Sequence, residues 1–183
     1  MEDKIEEHYP SGNLKSTVPS KDGVPHGHQK MYYETGELMY EGESKNNQQE
    51  GVWKLYYETG ELKRENIFEN HKKTSLKEYD IEGNLILEEL ELEYDKTNNT
   101  RSSIRKTYLD SGVLNTESKL MNIGRGNFLD GPCKEYYEGG QLMSEGEYDG
   151  DIKSGTWKFY YENGKIKREE ILDLSFKVTP PRC

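Results

Sequence analysis

Several features are scarce in this chain of 183 residues. It has two cysteines, Cys133 and Cys183, too few for a disulfide framework. No apolar run approaches the ~20 residues of a membrane-spanning helix. The opening Met1-Glu2-Asp3-Lys4-Ile5-Glu6-Glu7 has neither a basic nor an apolar leader segment, so no secretory signal is expected and the expected location is cytoplasmic. Leu, Ile, Val and Phe account for only 34 of 183 residues. With a net charge of −10 and a mean hydropathy of −1.08, that composition matches disordered chains and predicts no large conventional core. A pI near 5.0 withholds the positive field that nucleic acid or an anionic membrane surface requires, while suiting a basic protein partner.

Two abundances oppose disorder, 14 Tyr and 18 Gly, and both follow a repeat. One glycine marks each repeat: Gly12, Gly36, Gly60, Gly83, Gly112, Gly140 and Gly164, most of them 23 or 24 residues apart. Residues 31–67 match residues 135–171 at 20 of 37 positions without a gap. Four residues before the glycine stand His8, Tyr32, Tyr56, Tyr79, Tyr108, Tyr136 and Tyr160. The next column holds Tyr9, Tyr33, Tyr57, Asp80, Leu109, Tyr137 and Tyr161. An aliphatic residue follows every glycine by two. Six before the glycine the last six repeats carry Lys30, Lys54, Lys77, Lys106, Lys134 and Lys158; five after it they carry Glu41, Glu65, Glu88, Glu117, Glu145 and Glu169.

A glycine turn between two short Tyr- and Leu-bearing segments predicts a β-hairpin. Asn163-Gly164 suggests a type I′ turn, with a two-residue loop made of the glycine and its predecessor. That register sets each Lys opposite its Glu, Tyr57 opposite Leu62 and Tyr56 opposite Lys63. A three-residue loop would instead set Lys54 against Arg64, and like charges disfavour it. Strand alternation then predicts one face with Trp53, Leu55, Tyr57 and Leu62, repeated as Trp157, Phe159, Tyr161 and Ile166. The first Tyr column and the Lys–Glu pairs take the other face. The expected fold is all-β, an elongated solenoid-like row of about seven antiparallel hairpins in a twisted sheet, in which neighbours bury each other. One array is expected over residues 1–174, with a worn first repeat, irregular repeats over 80–130 and a flexible tail at 175–183. Asp95-Lys96-Thr97-Asn98-Asn99-Thr100 reads as a protruding loop.

These residues resemble the MORN-variant repeat: Tyr-Tyr-x-x-Gly-x-Leu, then Glu-Gly, a loop, a second Gly and Trp-Lys, clearest at 27–67 and 131–171. Bacterial proteins built of this repeat are grouped as YwqK-type antitoxins. That resemblance implies a partner that neutralises a cognate toxin, expected here to be basic. Eukaryotic MORN repeats resemble scaffolds or membrane-associated modules; the acidic charge disfavours the lipid reading.

Catalytic and metal chemistry find little footing. His26-Gly27-His28 has no third ligand in sequence reach, so no metal is expected. The carboxylates follow the repeat instead of breaking it, as an acid–base pair would. Cys133 falls in the column of Trp53 and Trp157, which makes it a small core residue rather than a nucleophile. Gly124-Arg125-Gly126 lacks the strand–loop–helix context of a phosphate cradle. No enzyme and no cofactor are expected. The candidate partner-binding residues are Tyr32, Tyr56, Tyr79, Tyr108, Tyr136 and Tyr160, since Tyr offers rigid amphipathic contact area, with Glu89, Glu91 and Glu93 from the acidic strand of the irregular middle. The competing account makes the Tyr column structural, stacking on neighbouring strands. The two functional expectations are an antitoxin-type occluding protein and a scaffold that presents a repeat-built face.

Overall fold

The computed structural model describes residues 2–124 and 126–173, so the expected tail and Cys183 lie outside the described residues. The described chain is all-β. Its strands are β1 (Glu2–His8), β2 (Leu14–Lys21), β3 (Val24–Pro25), β4 (Gly27–Tyr32), β5 (Leu38–Lys45), β6 (Gln48–Tyr56), β7 (Leu62–Glu69) and β8 (Lys72–Tyr79). There follow β9 (Leu85–Asp95), β10 (Thr100–Tyr108), β11 (Leu114–Asn122), β12 (Asn127–Tyr136), β13 (Leu142–Asp149), β14 (Ile152–Tyr160) and β15 (Ile166–Leu172). The chain divides into two compact units, Met1–Leu90 and Glu91–Cys183. In the first, β1, β2 and β4 to β9 lie side by side in that order, with β3 on β2. In the second, β10 to β15 do the same. All these pairings are antiparallel.

Every repeat glycine closes the same turn. The amide of Gly60 donates to the Tyr57 carbonyl at 3.0 Å, and the Tyr57 amide donates to the Glu61 carbonyl at 2.8 Å. The same two bonds recur at the other six glycines. Each glycine has a positive φ, between 78° and 102° across the seven, while the two residues before it do not. This is the three-residue loop with glycine in the left-handed position, so the expected type I′ turn at Asn163-Gly164 is corrected. Tyr56 therefore faces Leu62, not Lys63. A bulge immediately afterwards leaves Lys63 unpaired, sets Leu55 opposite Arg64 and restores Lys54 opposite Glu65. The extra residue absorbs the one-step difference between the two registers. All six Lys–Glu pairs form as expected, and the like-charge clash never arises.

The type I′ turns lie at the other edge. Asp22-Gly23, Asn46-Asn47, Asn70-His71 and Gly150-Asp151 have positive φ at both residues and join strands with two-residue loops. Where these turns occur, the repeat alternates two turn chemistries, whereas the connections from β9 to β10 and from β11 to β12 are longer.

The buried apolar side chains among the described residues are few: Trp53, Leu120, Cys133 and Trp157. Trp53 lies across Gly42, and Trp157 across Gly146. A Cβ at either glycine would come within 2.2 Å and 2.4 Å of the indole. Each indole N–H donates to a backbone carbonyl, Trp53 to Glu43 at 2.9 Å and Trp157 to Glu147 at 3.1 Å. The expected Trp face is therefore the packed one, with a correction at its rim. Leu62 and Ile166 pair with Tyr56 and Tyr160 and so belong to the opposite face.

Candidate functional site

The face opposite the tryptophans is organised by charge. In the first unit the cross-strand partners run Lys30, Glu41, Lys54, Glu65, Lys77, Glu88, one residue per strand from β4 to β9. In the second they run Lys106, Glu117, Lys134, Glu145, Lys158, Glu169, from β10 to β15. Interior members thus face an opposite charge on both sides. Close contacts form at Lys77–Glu88 (3.4 Å) and Lys106–Glu117 (3.3 Å). Each pair contributes about 0.2–1 kcal/mol, so the alternation matters most for register.

Tyr32, Tyr56 and Tyr79 in the first unit, and Tyr108, Tyr136 and Tyr160 in the second, each end a strand two residues after the ladder Lys. All six are half-buried on the ladder face. Tyr56 donates its hydroxyl to Glu41 Oε1 at 2.8 Å, and Tyr160 to Glu145 Oε1 at 2.7 Å. Burial, reinforced by the Glu41 carboxylate, pushes the Tyr56 phenol up to about 12. Glu41 itself is held below the usual carboxylate range, chiefly by its hydrogen bond with His28.

The acidic candidates do not join this column. Glu89 stands opposite Leu76, one step from the Lys77–Glu88 pair and so on the other face of its unit. Glu91 is held by Arg101 at 3.6 Å, and Glu93 is exposed. The exposed apolar residues of β9 are Leu90 and Leu92.

The second Tyr column has a different task. Tyr9, Tyr33 and Tyr57 donate their hydroxyls to the backbone carbonyls of Tyr32, Tyr56 and Tyr79 at 2.7, 2.8 and 3.0 Å. Tyr137 does the same to Tyr160 at 2.7 Å. Each hydroxyl staples one repeat to the next. Asp80 instead closes its own turn, accepting from the Asn84 amide at 2.7 Å.

Sequence reasoning passed over a second surface, the edge built by the glycine turns. In the first unit those turns carry the exposed Glu34, Glu37, Glu58, Glu61 and Glu82, with no Lys or Arg among residues 33–37, 57–61 and 80–84. Successive turns are two strands apart, about 10 Å. In the second unit the same edge has Asp110, Glu138 and Glu162, with Lys165 among them. The signal was present as Glu-Thr-Gly-Glu, twice, at residues 34–37 and 58–61.

The remaining candidates resolve simply. No group of three or more His, Cys, Asp or Glu side chains able to hold a metal occurs among the described residues. His28 faces Glu43 across the strands. Burial pushes the Cys133 thiol up to about 11, far from the thiolate a nucleophile needs.

Residues 25–46, 49–70, 129–149 and 153–171 match the family model described as MORN repeat variant. The chain carries MORN-variant repeats. One matched pair lies in each compact unit, and the two pairs are the copies offset by 104 residues. Outside the matched segments, the hairpins at Gly12, Gly83 and Gly112 close with the same turn bonds as the MORN-variant repeats. No curated protein matches the chain.

Proposed function

We propose that this MORN-variant repeat protein is a non-enzymatic binding module that occludes a basic protein partner, as an antitoxin occludes its toxin. The observation that carries the reading is the glycine-turn edge of the first unit, with its five exposed glutamates and no basic residue in the turns. Residues 1–90 contain 19 Asp and Glu against 11 Lys and Arg, whereas residues 91–183 contain 16 against 14. Most of the net charge of −10 thus belongs to the unit that carries this edge. A row of acidic turns about 10 Å apart presents the same sign of charge as a phosphate backbone, and steers a cationic cleft toward it. Rigid turns support this use, because little ordering entropy is lost on docking.

The test is capture from native lysate on the tagged full-length chain, at low and at high ionic strength, followed by expression of the captured protein alone. A single stoichiometric basic partner is expected. It should be lost at high salt, weakened in a Glu34→Lys, Glu58→Lys, Glu61→Lys variant, and toxic unless the two are co-expressed. A mixed set of partners indifferent to salt would overturn the reading in favour of a scaffold.

A further inference from the structure

His28 lies between two carboxylates in the first unit, its Nε2 3.0 Å from Glu41 Oε2 and its Nδ1 3.3 Å from Glu43 Oε1. Strand pairing produces this contact, because His28 stands opposite Glu43 and Lys30 opposite Glu41. The second unit rebuilds the same frame: Lys134 stands opposite Glu145, Pro132 opposite Glu147, and Tyr160 holds Glu145 Oε1 as Tyr56 holds Glu41 Oε1. At the rim Cys133, Ser154 and Thr156 replace Gln29, Glu50 and Val52, and at the centre Pro132 replaces His28. A pyrrolidine ring offers neither charge nor donor to the two carboxylates.

A cavity of about 440 Å³ opens at that place, bordered by Pro132, Lys134, Glu145, Glu147, Thr156 and Lys158. Neither Glu145 nor Glu147 has an ion pair among the described residues, whereas Glu41 and Glu43 share the His28 imidazole. Gly155 lies at the same cavity, and the space where its side chain would stand is open, which leaves room for a flat group.

We propose that this cavity receives an arginine side chain of a protein partner, its guanidinium set between Glu145 and Glu147 as the His28 imidazole is set between Glu41 and Glu43. The inference rests on the proposed function and deepens it by naming where one residue of the basic partner docks. Guanidinium suits the site better than ammonium. Its planar fork can donate at once to two carboxylates that stand two residues apart on β13, and its charge is spread and weakly hydrated. A compact ammonium would meet the concentrated charge of Lys134 and Lys158 beside Glu145.

The test titrates the isotope-labelled full-length protein with N-acetyl-arginine methylamide and follows backbone amide shifts by NMR. The neutral citrulline analogue of the same shape is the control. Saturable shifts at Glu145, Gly146 and Glu147 are expected, at least tenfold weaker with the citrulline compound. Pro132→His should abolish them by placing an imidazole in the cavity, and Glu147→Gln should weaken them at least tenfold in a protein of unchanged fold. Glu43→Gln, in the other unit, should leave them intact. Equal shifts with the two compounds, no saturable response, or arginine binding that survives Pro132→His would each overturn the site. The proposed function fails separately. A salt-sensitive partner captured equally by the native chain and by Pro132→His would keep that function and remove this docking role. A cavity that binds the arginine compound in a chain with no basic partner would do the reverse.

Discussion

Trp53 and Trp157 occupy the same place in two copies of one repeat pair, yet they are enclosed from opposite sides. Tyr40 leans on Trp53 with ring centroids 4.8 Å apart, while the residue two places past Gly42 is Ser44. In the second copy the order is exchanged. Ser144 takes the position of Tyr40, and Tyr148 takes that of Ser44, meeting Trp157 edge-on at 5.3 Å. Lys153 then covers the outer face of the indole, its Nζ 3.7 Å from the ring centroid, where the first copy uses Gln49 to hold the Tyr40 hydroxyl at 2.6 Å. What both copies keep is the indole lying on a glycine and donating to a carbonyl. The repeat therefore specifies an anchor and a volume, and either flank can supply the volume.

The largest effects should come from breaking the anchor. Trp157→Ala is expected to cost about 3–5 kcal/mol, and Trp53→Ala somewhat less, since Trp157 is fully buried and Trp53 is 3% exposed. Amide hydrogen exchange should assign each loss to its own compact unit. Tyr40→Ser should cost about 2–3 kcal/mol by opening space beside Trp53. Adding Ser44→Tyr should recover part of it, because the double variant adopts the packing of the second copy. A double variant no more stable than Tyr40→Ser alone would show that the two flanks are not interchangeable.

The tyrosine staples allow a smaller contrast between interior and terminal repeats. Tyr33 and Tyr137 each donate to the carbonyl of the following repeat, whereas the Tyr161 hydroxyl has no partner among the described residues. Tyr33→Phe and Tyr137→Phe should each cost about 1 kcal/mol, and Tyr161→Phe close to nothing. Denaturant midpoints of the three variants check this. Losses close to nothing in all three would mean that the ring, not the hydroxyl, joins the repeats.

Much of this was legible in the chain because repetition exposes pairing. The Lys and Glu columns identified every ladder pair, since only one register sets all six opposite charges together. The turn was misread for a physical reason. Two-residue and three-residue loops were weighed as exclusive, whereas a bulge lets the shorter register follow the longer loop. The bulged residues, such as Met39, Lys63, Asn115 and Met143, share no chemistry that would announce them. The type I′ turns were visible as Asp22-Gly23 and Asn46-Asn47, but alignment on the repeat glycine drew attention to the opposite edge. Weighed with its chain neighbour His26, His28 had no partner in sequence reach; paired across the sheet it meets Glu41 and Glu43. Neither the acceptors of the Tyr staples nor the cavity beside Pro132 leaves a mark in the sequence, because backbone carbonyls and missing side-chain volume have no letter of their own.

The smallest expected effects distinguish the two Tyr–Glu pairs by cause. Burial is the main reason the Tyr56 phenol is pushed up to about 12, with the Glu41 hydrogen bond second. For Tyr160 the hydrogen bond to Glu145 comes first and burial second. Both phenols are raised on folding, so their contribution to stability is complete below the ordinary phenol value near 10 and is lost as pH rises through the folded value. Glu41 behaves in the opposite sense. Its carboxyl is depressed, so its contribution is present above the ordinary carboxylate value and disappears as pH falls through the folded one. NMR titration of the tyrosine ring carbons should show Glu145→Gln returning Tyr160 most of the way to ordinary behaviour. Glu41→Gln should leave Tyr56 distinctly raised, because the burial remains when the carboxylate is gone. If both phenols relax equally, the carboxylate sets the shift in both copies, and the closer enclosure of Tyr56 contributes nothing to it.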